Sequence, residues 1–166
     1  MSLALELARR GAAADEVPVG AVLVLGDRVV GSAHNAPIVR CDPTAHAEIL
    51  ALREAAERSR AYRLPGSVLY ATVEPCAMCM GAALHARVAR VVYGAADPKG
   101  GAAGSVLDLS AVPAFNHSMV VTAGVLADGS AALLREFFAA RRPRAARRAS
   151  ADVPHRQSVA SRPDEG

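Results

Sequence analysis

The alternation of apolar and polar positions divides the chain into short helices and strands. Leu3, Leu5, Leu7 and Ala8 put apolar side chains on one face of a first helix that ends near Gly11. Residues 17–25 form a β-rich apolar run, Gly26-Asp27 marks a turn, and residues 28–33 return to extended character, so a β-hairpin is predicted. A loop containing Pro37 and Pro43 follows, and Thr44 is placed to cap a helix over residues 45–58 that carries Ile49, Leu50, Leu52 and Ala56 at helical spacing. Residues 68–73 read as a strand. Pro75 opens a helix to about Ala86. Residues 88–93 are another strand, Gly100 to Gly104 a flexible loop, and residues 120–122 a short last strand. A helix over 131–142 carries Leu133, Leu134, Phe137 and Phe138. Strands alternating with helices predict an α/β fold with a parallel or mixed sheet covered by helices.

The apolar periodicity stops after Pro143. One domain over residues 1–142 and a disordered, Arg-rich tail over 143–166 are therefore expected. Charge follows the same division. Residues 1–140 carry 12 basic and 13 acidic side chains, whereas 141–166 carry seven Arg against three acids. Basic arms often touch nucleic acid. Only one of the 19 basic residues is a lysine, however, and Ala is abundant, a pattern that a coding bias also produces, so a solvated tail stays an equal alternative.

Several classes of protein are disfavoured. No stretch approaches the ~20 apolar residues of a membrane span. Glu6, Arg9 and Arg10 interrupt the first segment, which reads as a helix and not as a secretory leader, so a cytoplasmic protein is expected. The three cysteines, Cys41, Cys76 and Cys79, are an odd count with one C-x-x-C pair, which argues for metal or redox chemistry over a disulfide framework.

The chemistry-bearing residues are His46-Ala47-Glu48 and Pro75-Cys76-Ala77-Met78-Cys79. One imidazole and two thiolates make three ligands for a tetrahedral Zn²⁺, leaving the fourth position to water. The close cysteine pair sits in one helical turn, and the helix N-terminus favours its ionised form. Two residues along a regular helix turn by ~200°, so Glu48 points away from His46 there and is left to move protons for the water. A lone C-x-x-C is often a redox pair or half of a structural site, and a lone H-x-E carries little information. Together they form the H-x-E…P-C-x-x-C signature of zinc deaminases. Cys41 reads as a passive small residue.

The likeness extends over residues 3 to 142. Glu16 to Val24, Asp42 to Ile49, Tyr62-Arg63-Leu64, Glu74 to Cys79, Gly94 to Lys99, Gly101 to Ser105, Asn116-His117 and Phe137-Phe138 with Arg141-Arg142 resemble the bacterial tRNA-specific adenosine deaminases of the cytidine/deoxycytidylate deaminase superfamily. The resemblance implies a three-layer α/β/α cytidine-deaminase-like fold, a central mixed sheet flanked by helices, a homodimer and one Zn²⁺ per subunit. It implies conversion of adenosine to inosine at the wobble position of a tRNA anticodon stem-loop, with no DNA expected as natural substrate. Residue by residue it makes His46, Cys76 and Cys79 the zinc ligands and Glu48 the catalytic proton shuttle. Asn35 would bind the purine edge, and Asp97, Lys99, Asn116, Phe138 and Arg141 would contact the RNA. Asn35 reads equally well as a turn residue near Pro37, and Asp97 as a turn-capping residue before Pro98. Of the adjacent Phe137 and Phe138, one belongs to the core and the other to a surface. His34, Ala61 and Ser130 depart from the family pattern without removing a catalytic part. The rival readings are a free-base or nucleoside deaminase acting on guanine, cytosine or cytidine, and a non-catalytic zinc-stabilised RNA-binding subunit. Glu48 argues against the second, because a purely structural site has no use for it.

Overall fold

The computed structural model describes residues 1–142; the tail expected over 143–166 lies outside the described residues. The chain runs α1 (Ser2–Ala13), β1 (Gly20–Leu25), β2 (Arg28–His34), α2 (Pro37–Arg40), α3 (Ala47–Ser59), β3 (Val68–Val73), α4 (Ala77–His85), β4 (Arg90–Ala95), β5 (Val120–Thr122) and α5 (Ala127–Arg141). One five-stranded sheet has the order β2-β1-β3-β4-β5. β1 pairs antiparallel with both β2 and β3, while β3–β4 and β4–β5 are parallel, so the sheet is mixed. This is the three-layer α/β/α arrangement expected.

The period-two alternation of β1 shows how the layers form. Ala21 and Leu23 point into the larger core, with Ala47, Ala51, Leu52 and Ala55 of α3 and Met80 and Ala83 of α4. Val22 points to the other face and packs with Ala4 and Leu7 of α1. α5 shares that second face, against β4 and α1. The α3 side of the core is built largely of alanine, which lets the helix lie close to the sheet. At Gly31 the approach is closest, since a Cβ there would fall well inside contact distance of the Ala51 carbonyl oxygen.

The structure departs from the sequence expectations at several places: α4 starts at Ala77 with Cys76 at its N-cap and does not open at Pro75, and β4 runs Arg90–Ala95 and not 88–93. β1 starts at Gly20, not Val17, because Pro18 has no N–H for a ladder. A single helical turn, α2, stands where a loop was expected, opened by Pro37 and ended by Cys41 in the left-handed region (φ 49°). Thr44 does not cap α3. Its hydroxyl and its N–H both donate to Asp42 Oδ1, each at 2.7 Å, and the helix opens two residues later with His46 at the N-cap. α5 begins at Ala127, four residues earlier than its apolar pattern suggested.

Replacing Gly31 with Ala is expected to push α3 off β2 and lower the unfolding free energy by about 3 kcal/mol, the upper part of the overpacking range. Urea denaturation measures it, and a loss within about 0.5 kcal/mol would show that the contact yields freely.

Candidate active site

The N-termini of α3 and α4 meet at the end of the sheet where β3 and β4 finish, the usual location for sites in α/β folds. His46 and Cys76 are the N-cap residues of these helices, both extended, at φ −70°, ψ 151° and φ −72°, ψ 173°. Being outside the helical conformation, His46 escapes the ~200° divergence of a regular helix, and its side chain faces the same cleft as that of Glu48. Asn35, just after β2, holds the start of α3: its Oδ1 accepts from Ala47 N–H at 3.1 Å.

His46 Nδ1 lies 3.7 Å from Cys76 Sγ and 3.6 Å from Cys79 Sγ, and the two sulfurs are 3.7 Å apart. The sulfurs are too far apart for a disulfide, whose bond is ~2.05 Å, and both cysteines are free. Tetrahedral bonds of ~2.3 Å to sulfur and ~2.0 Å to nitrogen would place sulfurs ~3.8 Å apart and nitrogen ~3.5 Å from each sulfur. The triangle therefore fits a metal ion with one nitrogen and two sulfur donors, and it is the one such group among the described residues. Cys41 and His34 are not part of it. Cys41 is exposed, and His34 Nδ1 lies 2.8 Å from the Asn35 carbonyl.

The electrostatics agree with a cation site. Hydrogen bonds from Cys79 and His46 hold the Cys76 thiol down to about 3. The same sulfur–sulfur hydrogen bond, together with burial, pushes the Cys79 thiol up. The pair therefore shares one proton between two sulfurs 3.7 Å apart, beside the imidazole. The hydrogen bond to Cys76 raises the His46 pKa, against the effect of burial. A divalent cation would displace the remaining thiol proton. Glu48 is buried at 3 % exposure, and burial raises its pKa. Its Oε2 is fully buried and has no hydrogen-bond partner among the described residues. An unpartnered buried carboxylate oxygen costs free energy.

The cleft beside the triangle has a volume of about 600 Å³. Val17, Val19 and Val73 supply apolar wall, Leu134 and Phe138 come from α5, and Ala96 to Lys99 form the rim. Of the residues singled out from sequence, Asn35, His46, Glu48, Cys76, Asp97, Lys99 and Phe138 line this cleft. Phe138 is half exposed while Phe137 is buried, the division expected of the pair. Asp97 Oδ1 accepts from Lys99 N–H at 3.0 Å, which is the turn-holding role for this residue. Asn116 stands elsewhere, in a second cavity of about 400 Å³, where its Oδ1 accepts from Arg87 Nη1 at 2.7 Å. The Arg141 guanidinium stacks on Phe137, 3.5 Å from the ring centroid, and pairs with Asp15. The sequence reading missed the valine walls and Leu134, which are apolar residues without a motif. Glu74 stands in the sequence only as the first residue of the Glu74 to Cys79 stretch. This buried side chain accepts from the N–H groups of Asp97, Ala103 and Ser105, each at 3.0 Å. Burial opposes its ionisation, but these bonds and the Ser105 hydroxyl prevail and lower its pKa.

The model of the MafB19-like deaminase family matches residues 1–142. A tRNA-specific adenosine deaminase of Haemophilus influenzae is 50 % identical over 143 residues, covering 86 % of this chain and 83 % of that one. The chain belongs to the tRNA-specific adenosine deaminase family. A solved structure from studies of A-to-I editing by tRNA:A34 deaminases at the wobble position of transfer RNA superimposes with a TM-score of 0.78 at 46 % identity. It covers 81 % of this chain and 97 % of that one. A guanine deaminase from Nitrosomonas europaea is more distant, at 27 % identity and a TM-score of 0.68, covering 83 % and 82 %.

Cys76→Ala is expected to remove tight divalent-metal binding and to lower Tm by several degrees, because ion binding is coupled to folding. Metal content per chain and thermal denaturation measure this. Unchanged metal content and Tm together would remove Cys76 from the ligand set.

Proposed function

We propose that this deaminase converts adenosine to inosine at the wobble position of a tRNA anticodon, with Zn²⁺ on His46, Cys76 and Cys79 and with Glu48 moving the protons. The observation that carries the reading is the orphaned Glu48 Oε2, buried beside three converging metal donors in a cleft of nucleoside size. Zinc, when bound, supplies Lewis acidity that lowers the pKa of water to roughly 7.

Glu48 takes one proton from the attacking water and delivers it to N1, then carries the second from the new hydroxyl to the amino nitrogen leaving C6. The C6–O bond forms, the C6–N bond breaks, and adenosine plus water becomes inosine plus ammonia. A carboxyl whose pKa is raised by burial is suited to both receiving and giving that proton. Asn35 orients the base. With Oδ1 engaged by Ala47 N–H, its amide offers N–H donors to a purine acceptor such as N7. The valines and Leu134 enclose the ring, and burial there excludes water from the reacting atoms. A base held in this cleft is out of its stack, which suits the unpaired anticodon loop. Lys99 and the half-exposed Phe138 stand at the rim, where the flanking nucleotides would lie. Asn116 and Arg141 face other parts of the surface, and RNA contact by them would lie beyond the cleft. The 50 % identity to a tRNA-specific adenosine deaminase and 46 % to the structure from studies of tRNA:A34 deaminases, against 27 % to a guanine deaminase, support the RNA substrate. The protein is read as cytoplasmic and homodimeric; among the described residues no helix is long and apolar enough to cross a membrane.

The zinc-loaded protein is expected to deaminate an anticodon stem-loop bearing wobble adenosine, and to leave free adenosine, guanine and cytidine essentially unchanged. Turnover of a free base or nucleoside without the stem-loop would keep the chemistry and overturn the substrate. Glu48→Gln is expected to lower kcat by at least about 10²–10⁴-fold, the usual contribution of a positioned proton-transfer group, with zinc content unchanged. Retained kcat would refute the proton-shuttle role.

A further inference from the structure

We propose that Glu74 is a positioning residue for substrate binding: its buried carboxylate fixes the 97–105 segment and so sets the Asp97–Lys99 rim of the cleft against the metal-binding residues. The inference rests on the reading of this cleft as the substrate site.

Glu74 lies between Val73, the last residue of β3, and Pro75-Cys76, and its side chain is 3 % exposed. Its Oε2 accepts from Asp97 N–H at 3.0 Å and from the Ser105 hydroxyl. Its Oε1 accepts from the N–H groups of Ala103 and Ser105, both at 3.0 Å. All four donors belong to one segment, 23 to 31 residues away in sequence. The segment passes so close that a Cβ on Gly101 would overlap the carboxylate, and Gly101 forms an antiparallel bridge with Cys76 itself. Ala102 N–H donates to the Pro75 carbonyl at 2.9 Å. The rim of the cleft and the first cysteine are thereby tied to neighbouring residues of one short stretch.

The chemistry calls for an ionised carboxylate. Four donors converge, and only a carboxylate presents about four lone-pair sites on two oxygens. A glutamine would offer one acceptor oxygen and turn an NH₂ toward N–H donors. Glu74 differs from Glu48 in this respect: Glu48 keeps a buried oxygen without a partner, whereas both Glu74 oxygens are engaged within the protein. Glu74 therefore acts through the segment it holds, and not on the reacting atoms.

Glu74→Gln is expected to raise the stem-loop KM by about tenfold, the scale of one lost charge-assisted hydrogen bond. kcat is expected to stay within about threefold and zinc content to be unchanged. Amide hydrogen exchange at Ala103 and Ser105 should quicken. Ser105→Ala, on an exposed residue, removes one of the four donors with little risk to folding and should shift KM in the same direction by less. Unchanged KM with unchanged exchange at Ala103 and Ser105 would overturn the inference. So would a fall in kcat and zinc content at constant KM, which would place Glu74 in the service of Cys76. Should the wild-type protein fail to turn over the stem-loop, the substrate reading fails; the exchange data, which need no substrate, then still decide whether Glu74 anchors the segment.

Discussion

The site depends on two helices starting within a few ångströms of each other. His46 and Cys76 are each the last non-helical residue before a helix, so the metal triangle exists only while α3 and α4 both begin at the same edge of the sheet. Small side chains meet that constraint. Ala21, Ala47, Ala51, Ala55 and Ala83 fill the space between sheet and helices, and Gly31 admits the α3 backbone directly onto β2. A larger residue at any of these positions would displace a helix axis, and the donor triangle, with edges of 3.6–3.7 Å, would open. Close packing of the core and ligand geometry are thus one requirement.

Two buried glutamates flank the metal triangle, and the fold treats them in opposite ways. Glu74 is given every hydrogen bond that its oxygens can accept and holds a distant segment in place. Glu48 is buried as deeply but left with an orphaned oxygen. A protein under selection for stability alone would satisfy both. On the proposed reading, the cost at Glu48 is borne where an oxygen is needed for water and the leaving nitrogen, and the Asp97 to Lys99 rim that Glu74 bonds lines the same cleft. The same division applies to amides: Asn35 spends its oxygen on the helix start and keeps its donors.

Much of this was legible in the chain. The C-x-x-C pair, the His-x-Glu and the strand–helix alternation led to the metal triangle, to Glu48 in the cleft and to a mixed three-layer fold. What was not legible has physical reasons. Thr44 has the composition of an N-cap, yet Asp42 two residues earlier takes its hydroxyl and moves the helix start to His46. Pro18 delays β1, so Val17 and Val19 precede the strand and line the cleft. α2 is four residues long, too short to show any periodicity. Glu74 bonds mainly to backbone N–H groups, which leave no side-chain signature in the segment they come from. Arg141 reads as a cation for RNA, and its stacking on Phe137 and pairing with Asp15 follow only from the docking of α5 against α1.

The arrangement also locates where substrate choice can be exercised. On the proposed reading the inner cleft offers apolar walls, the Asn35 amide and the Glu48 carboxylate, which suit an adenine with its amino group beside N7. Free adenosine presents the same C6 amino group and the same N7 there as an adenosine within a loop. Discrimination between a free base and a base within a loop must come from groups that a free base does not reach. On the proposed reading those groups are on the rim, at Asp97 to Lys99 and on the exposed half of Phe138. The 97–105 segment holds its shape through Glu74 rather than through the metal ligands alone, so the rim can change sequence while the chemistry beneath it stays the same. An RNA deaminase and a base deaminase can therefore share this inner site and differ at its edge.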